Sequence, residues 1–150
     1  MKKVEKYPKT MRILHWLMAA VIFSQIILGF LMEDLGKNVI LIHAGVGFSI
    51  LFLTLLRLVV LIRMKNALPP KPTEFSDREW KIAKFGHSLI YILLISVPAS
   101  GALAFFSGNH DLGEFHETMV WVFILLLAGH ILITIKHQFL DKRTLLQRMT

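Results

Sequence analysis

"HETMVWVFILLLAGHILITIKH", residues His116 to His137, decides the fold of this chain. It is long enough to cross a bilayer, since about 20 residues of helix span a ~30 Å hydrocarbon core. It also carries three histidines. Ionisable side chains inside a membrane span are rare, face the interior of a bundle and mark function. Fourteen positions separate His116 from His130. At ~100° per residue they return to within about 40° of one face, and the helix rises about 21 Å between them. One helix therefore presents imidazoles on one face at two depths.

Three similar runs precede it. The sequence predicts helices over about Met11 to Met32, Val39 to Ile62 and Lys81 to Phe106, with the fourth over about Gly113 to Phe139. The turns "EDLGKN" and "SGNHD" close the first and third, and the proline-rich stretch "RMKNALPPKP" follows the second. Residues 1–150 thus read as one all-α domain, an integral membrane four-helix bundle of up-down topology. The bulk numbers agree: 55% of the 150 residues are hydrophobic and 18% charged, and mean hydropathy is +0.60. A cleaved signal peptide is set aside for the first run, because three more follow and no small-residue cleavage pattern closes it. No repeat of 20 to 50 residues is evident. Pro98 inside the third run is compatible with a membrane helix whose neighbours satisfy the freed carbonyl.

The net charge of +7 is a topology signal. Lys2, Lys3, Lys6, Lys9 and Arg12 precede the first span, and Arg63, Lys65, Lys71, Arg78, Lys81 and Lys84 flank the central loop. Lys136, Lys142, Arg143 and Arg148 follow the last span. The positive-inside rule then places both termini in the cytoplasm of a multi-pass inner-membrane protein. These cations form no face of their own, so no nucleic-acid partner is expected; membrane lipid is. The absence of cysteine removes disulfides, thiolate metal sites and covalent c-type haem attachment.

The fourteen-residue step sorts the other spans as well. It leads from His15 to Gly29, from His43 to Arg57 and from His87 to Gly101. With helices alternating in direction, an outer level collects Gly29, His43, Gly101 and His116. An inner level collects His15, Arg57, His87 and His130. Two imidazoles with two glycines at the outer level suit a flat macrocycle, its iron ligated by histidine and its ring accommodated where side chains are missing. At the inner level three histidines compete for two axial places. Arg57 would be expensive alone in lipid, and a haem propionate is its natural counter-ion. Each histidine taken singly reads equally well as a hydrogen-bonding tie between helices, and each glycine as a close-packing position. A metal transporter is a further alternative. It would place carboxylates along a path, whereas Glu33, Asp34, Asp111, Glu114 and Glu117 all lie at the outer edge.

At this point the sequence resembles the bacterial cytochrome b561 family. The matching pieces are "RILHWLMA", "LIHAGVGFSILFLTLLRLV", "AKFGHSLIYILLISVPASG" and "FHETMVWVFILLLAGHILITIKHQFLDKRTLLQRM". Together they span nearly the whole chain. The resemblance implies two b-type haems in a four-helix bundle that moves electrons across the inner membrane. It implies His15 and His130 as ligands of the cytoplasmic-side haem, and His43 and His116 as ligands of the periplasmic-side haem. It places His87 and His137 near the cytoplasmic haem, around propionates or quinone. Where the family often has a second histidine next to the last one, this chain has Gln138. His110 matches nothing in the pattern and reads as a loop residue.

The expected function is electron carriage between the quinone pool and a periplasmic redox protein, with two haem b and ubiquinone as candidate cofactors. Some members of the resembled family oxidise superoxide and pass the electron to quinone, so a superoxide oxidase is one alternative. The acidic outer rim, opposed by Lys37 alone, repels an anion and attracts a basic protein, which favours the partner reading. A haem-containing membrane anchor subunit of a larger redox complex is the alternative of another class. The sequence leaves the oligomeric state open.

Overall fold

The computed structural model describes residues 5–143 and 145–150, apart from the Glu33 side chain. Lys2 and Lys3 of the basic tail and the Glu33 side chain of the acidic rim therefore lie outside the described residues. Four long helices make the body: α1 (Lys9–Leu35), α2 (Lys37–Arg63), α3 (Asp77–Ser107) and α4 (His110–Ile135). A π-helical turn, Lys136–Leu140, continues α4, and a short α5 (Leu145–Met149) follows. No strand occurs among the described residues. Each long helix, α4 with its π turn, is long and apolar enough to cross a membrane.

The helices outrun the apolar segments because polar residues at their ends cap them. Gly36, at φ 74°, is the whole connection between α1 and α2. Gly108, at φ 62°, ends α3 in the left-handed region that glycine enters without a steric penalty. Asn109 then caps α4 by accepting from the Asp111 and Leu112 amides. At the other end of α3, Ser76 and Glu79 form a reciprocal capping box. These short turns make two hairpins, α1–α2 and α3–α4, which meet through α2 and α3. Side chains such as Phe30 on Trp121 link α1 to α4. Both hairpin turns lie at one end of the bundle; the termini and the central loop lie at the other.

Met18, Ile22, Ile50, Leu94 and Phe123 form the buried cluster at mid-height. The outside is equally apolar, with Leu125 and Phe106 about three-quarters exposed (76% and 75%). In lipid such a core gains by close packing rather than by leaving water. At the termini end, Arg148 is buried and donates to the Glu5 and Pro70 carbonyls at 3.0 and 2.6 Å. Trp16 Nε1 donates to the Met149 carbonyl at 2.9 Å. Arg143 Nη1 reaches Glu79 at 2.9 Å and stacks on buried Phe75. This clasp ties tail, loop and C-terminal segment over the ends of the helices.

Candidate histidine site

The buried mid-height cluster separates two polar groups inside the bundle. At the hairpin-turn end, the rings of His43 on α2 and His116 on α4 face each other with centres 6.4 Å apart and planes at 80°. Each lies against a glycine of the preceding helix. A Cβ on Gly29 would sit 3.4 Å from His43 Cε1, and a Cβ on Gly101 would sit 2.8 Å from His116 Cε1. Each imidazole thus lies against the side of a helix where glycine lacks a side chain. His116 Nδ1 lies 3.0 Å from the Val97 carbonyl and 3.1 Å from Ser100 Oγ. A carbonyl only accepts, so Nδ1 carries the proton and Nε2 keeps the lone pair. His43 Nδ1 is buried without a hydrogen-bond partner. Gln25 Nε2 donates to the His43 carbonyl at 2.9 Å, fixing α1 to α2 at this height.

At the termini end, His87 and His130 stand edge to face with centres 5.1 Å apart. His87 Nδ1 donates to the Ala83 carbonyl of its own helix at 2.8 Å, which again leaves Nε2 free. The His15 ring stands edge to face with Trp16, its chain neighbour, with centres 5.4 Å apart. Arg57 is buried, and its Nε donates to the Tyr91 hydroxyl at 3.0 Å. Of the levels sorted by the fourteen-residue step, the structure thus brings His43 to His116 at one and His87 to His130 at the other.

His137 belongs to neither group. Its Nδ1 bonds to Asp141 at 2.6 Å and its ring stands on Phe75 at 5.2 Å, within the clasp. Gln138 beside it accepts from the Leu146 amide at 3.2 Å, a structural duty for that position. His110 lies at the exposed start of α4, 3.5 Å from Glu114.

Sequence reasoning missed Ser100, Tyr91 and the Val97 carbonyl. The two hairpins nevertheless correspond over a span longer than the repeats sought, though Ser100 and Tyr91 match Leu28 and Ala19 and have no counterpart in it. His15, Ile22, Gln25 and Gly29 recur on α3, 72 positions later, as His87, Leu94, Val97 and Gly101. His43, Ile50 and Arg57 recur on α4, 73 positions later, as His116, Phe123 and His130. The chemistry is thus built twice on one backbone plan, with Arg57 standing where the second hairpin has a histidine.

Imidazole pairs are what this arrangement offers. Among the described residues, no three His, Cys, Asp or Glu side chains converge as a metal cage. A bare ion lacks ligands here, whereas an iron already held by four ring nitrogens needs two from the protein. The comparisons agree with that chemistry. A family model described as prokaryotic cytochrome b561 matches residues 6–150. Cytochrome b562 of Cereibacter sphaeroides is 30% identical, over 95% of this chain and 94% of its own. Cytochrome b561 homolog 2 of Escherichia coli K12 is 23% identical, over 97% of this chain and 91% of its own.

Proposed function

The chain belongs to the prokaryotic cytochrome b561 family, whose members bind haem b and transfer electrons in membranes, and we propose that it carries two haems and moves electrons between the quinone pool and a periplasmic redox protein. The observation that carries this reading is the His43–His116 pair. Two imidazoles on opposite sides of one ion have centres about 6–6.5 Å apart, from a metal–nitrogen bond of about 2 Å and the ring's own radius. The observed 6.4 Å fits that arrangement. The Nδ1 contact of His116 also fits, since a ligating histidine gives its other N–H to an acceptor.

In this reading His43 and His116 hold the haem at the hairpin-turn end, and His15 and His130 hold the one at the termini end. His87 lines the second site. Arg57, braced by Tyr91, faces propionate. His137 stays a candidate propionate or quinone contact within the clasp. When bound, each haem supplies a one-electron iron couple. The chain's own work is to hold both rings at fixed depths, exclude water through the mid-height cluster, and keep the ligating nitrogens unprotonated. The lysine and arginine distribution supports placing both termini in the cytoplasm.

Asp34, Asp111, Glu114 and Glu117 are exposed around the hairpin-turn end against Lys37. An acidic rim slows an anion and speeds a basic protein, which supports a protein partner over superoxide. Stopped-flow mixing separates the readings. A quinol analogue should reduce both haems, and superoxide should reduce them slowly at low salt. Absence of quinol reduction removes the quinone link; fast superoxide reduction at low salt makes the protein a superoxide oxidase. A stoichiometric soluble subunit on purification makes it an anchor.

A further inference from the structure

The glycines of the hairpin-turn site occupy a defined place relative to a backbone carbonyl. Gly101 lies one helical turn after Val97, whose carbonyl meets His116 Nδ1 at 3.0 Å. Gly29 lies one turn after Gln25, whose side chain donates to the His43 carbonyl at 2.9 Å. In an α-helix, Cβ atoms lean toward the N-terminus, so residue i+4 covers the carbonyl of residue i. A glycine there leaves that carbonyl open to a neighbouring helix. The clearances show how closely the opening is used. A Cβ on Gly101 would lie 2.8 Å from His116 Cε1 and 3.1 Å from Nδ1, too close to be accommodated without a shift; one on Gly29 would make only ordinary contact with His43, at 3.4 and 3.8 Å. The two seats sit 72 positions apart on corresponding helices.

They are not identical. Beside His116, the Ser100 hydroxyl donates to the same Val97 carbonyl at 2.9 Å and stands 3.1 Å from Nδ1. The corresponding position of the first hairpin is Leu28. There His43 Nδ1 has no partner at hydrogen-bond distance.

We propose that Gly101 is a positioning residue that bares the Val97 carbonyl, so that the His116 imidazole seated there donates its Nδ1–H in a hydrogen bond and presents Nε2 alone to iron. The proposal rests on the reading of His116 as an axial ligand. It gives Gly101 a duty toward the ligand's hydrogen bond. A seated imidazole is held in one tautomer and one orientation, and its donated N–H raises the basicity of the nitrogen left for the metal.

Ligand replacement in the haem-loaded full chain tests this. His116→Gly removes the ring and leaves the seat. Two small bases of equal size are then titrated while the low-spin spectrum is followed. 4-Methylimidazole keeps an N–H for the Val97 carbonyl; 1-methylimidazole does not. The expected result is half-restoration at about tenfold lower 4-methylimidazole concentration, the worth of one hydrogen bond of about 1.4 kcal/mol. In His116→Gly/Gly101→Ala that preference should vanish. Equal restoration by the two bases in His116→Gly overturns the proposal, as does a preference that survives Gly101→Ala. If His116→Gly does not assemble, His116→Ala, which also removes the ring and leaves the Val97 carbonyl in place, gives the same comparison. A wild-type spectrum in His116→Gly with no base added has a separate meaning: it overturns the ligand assignment beneath the proposal.

Discussion

His43 and His116 come from different hairpins and stand ring to ring at 6.4 Å, near one end of a bundle whose outer surface is apolar. Each ring belongs to the second helix of its hairpin, so the pair spans the seam between the two halves. His43→Ala or His116→Ala is expected to remove one haem and spare the other. Haem quantified per chain, with the absorption spectrum, checks this. Loss of both haems, or of neither, contradicts the assignment.

The termini end poses a sharper contest. The structure pairs His87 with His130 at 5.1 Å, whereas the proposed haem site pairs His15 with His130. His15→Ala is expected to lose one haem and His87→Ala to retain two. The opposite result would transfer the axial place from His15 to His87.

Arg57 donates to the Tyr91 hydroxyl at 3.0 Å. A hydrogen bond to a charged group contributes roughly 1.5–3 kcal/mol, so Tyr91→Phe should lower thermal stability in detergent by about that amount. Arg57→Gln removes a cation that favours the reduced iron, so the midpoint potential of the termini-end haem should fall. The potential of the hairpin-turn haem should hold. A redox titration resolving the two haems reads both, and equal shifts in the two would contradict placement of Arg57 at one site.

The clasp should respond to acid. The hydrogen bond from His137, with Lys136 nearby, holds the Asp141 carboxyl below the usual carboxylate range. A carboxylate whose pKa falls on folding stabilises the folded state above its unfolded value, and that contribution disappears as pH drops through the folded value. The window therefore lies below the ordinary aspartate value of about 3.9. Hydrogen exchange of residues 136–150, corrected for intrinsic rate, should show protection falling there. Asp141→Asn should show the weaker protection already at pH 7. Identical profiles in the two proteins would contradict a role for this contact.

Much of this architecture is legible in the chain. Apolar runs of bilayer length fix the four helices, and glycine with asparagine at 36, 108 and 109 marks the hairpin turns. The step from His116 to His130 sorts the polar residues by depth because helix rise and rotation are nearly invariant. What depth does not give is the azimuth between helices. His15 and His87 share a level, and which of them meets His130 depends on how the hairpins are rotated against each other. Backbone partners are hidden for a related reason. The Val97 carbonyl has no side-chain signature, and only the glycine one turn later points to it. The clasp is long-range as well: Arg148 meets Glu5 and Pro70 through contacts that no local pattern announces.

The central claim is that this bundle holds two bis-histidine haems. The direct measurement is the absorption spectrum of the purified full chain, oxidised and reduced, with haem quantified against protein by amino-acid analysis. Two low-spin b-type haems per chain are predicted. A single haem per chain, or a spectrum lacking a Soret band, would contradict it.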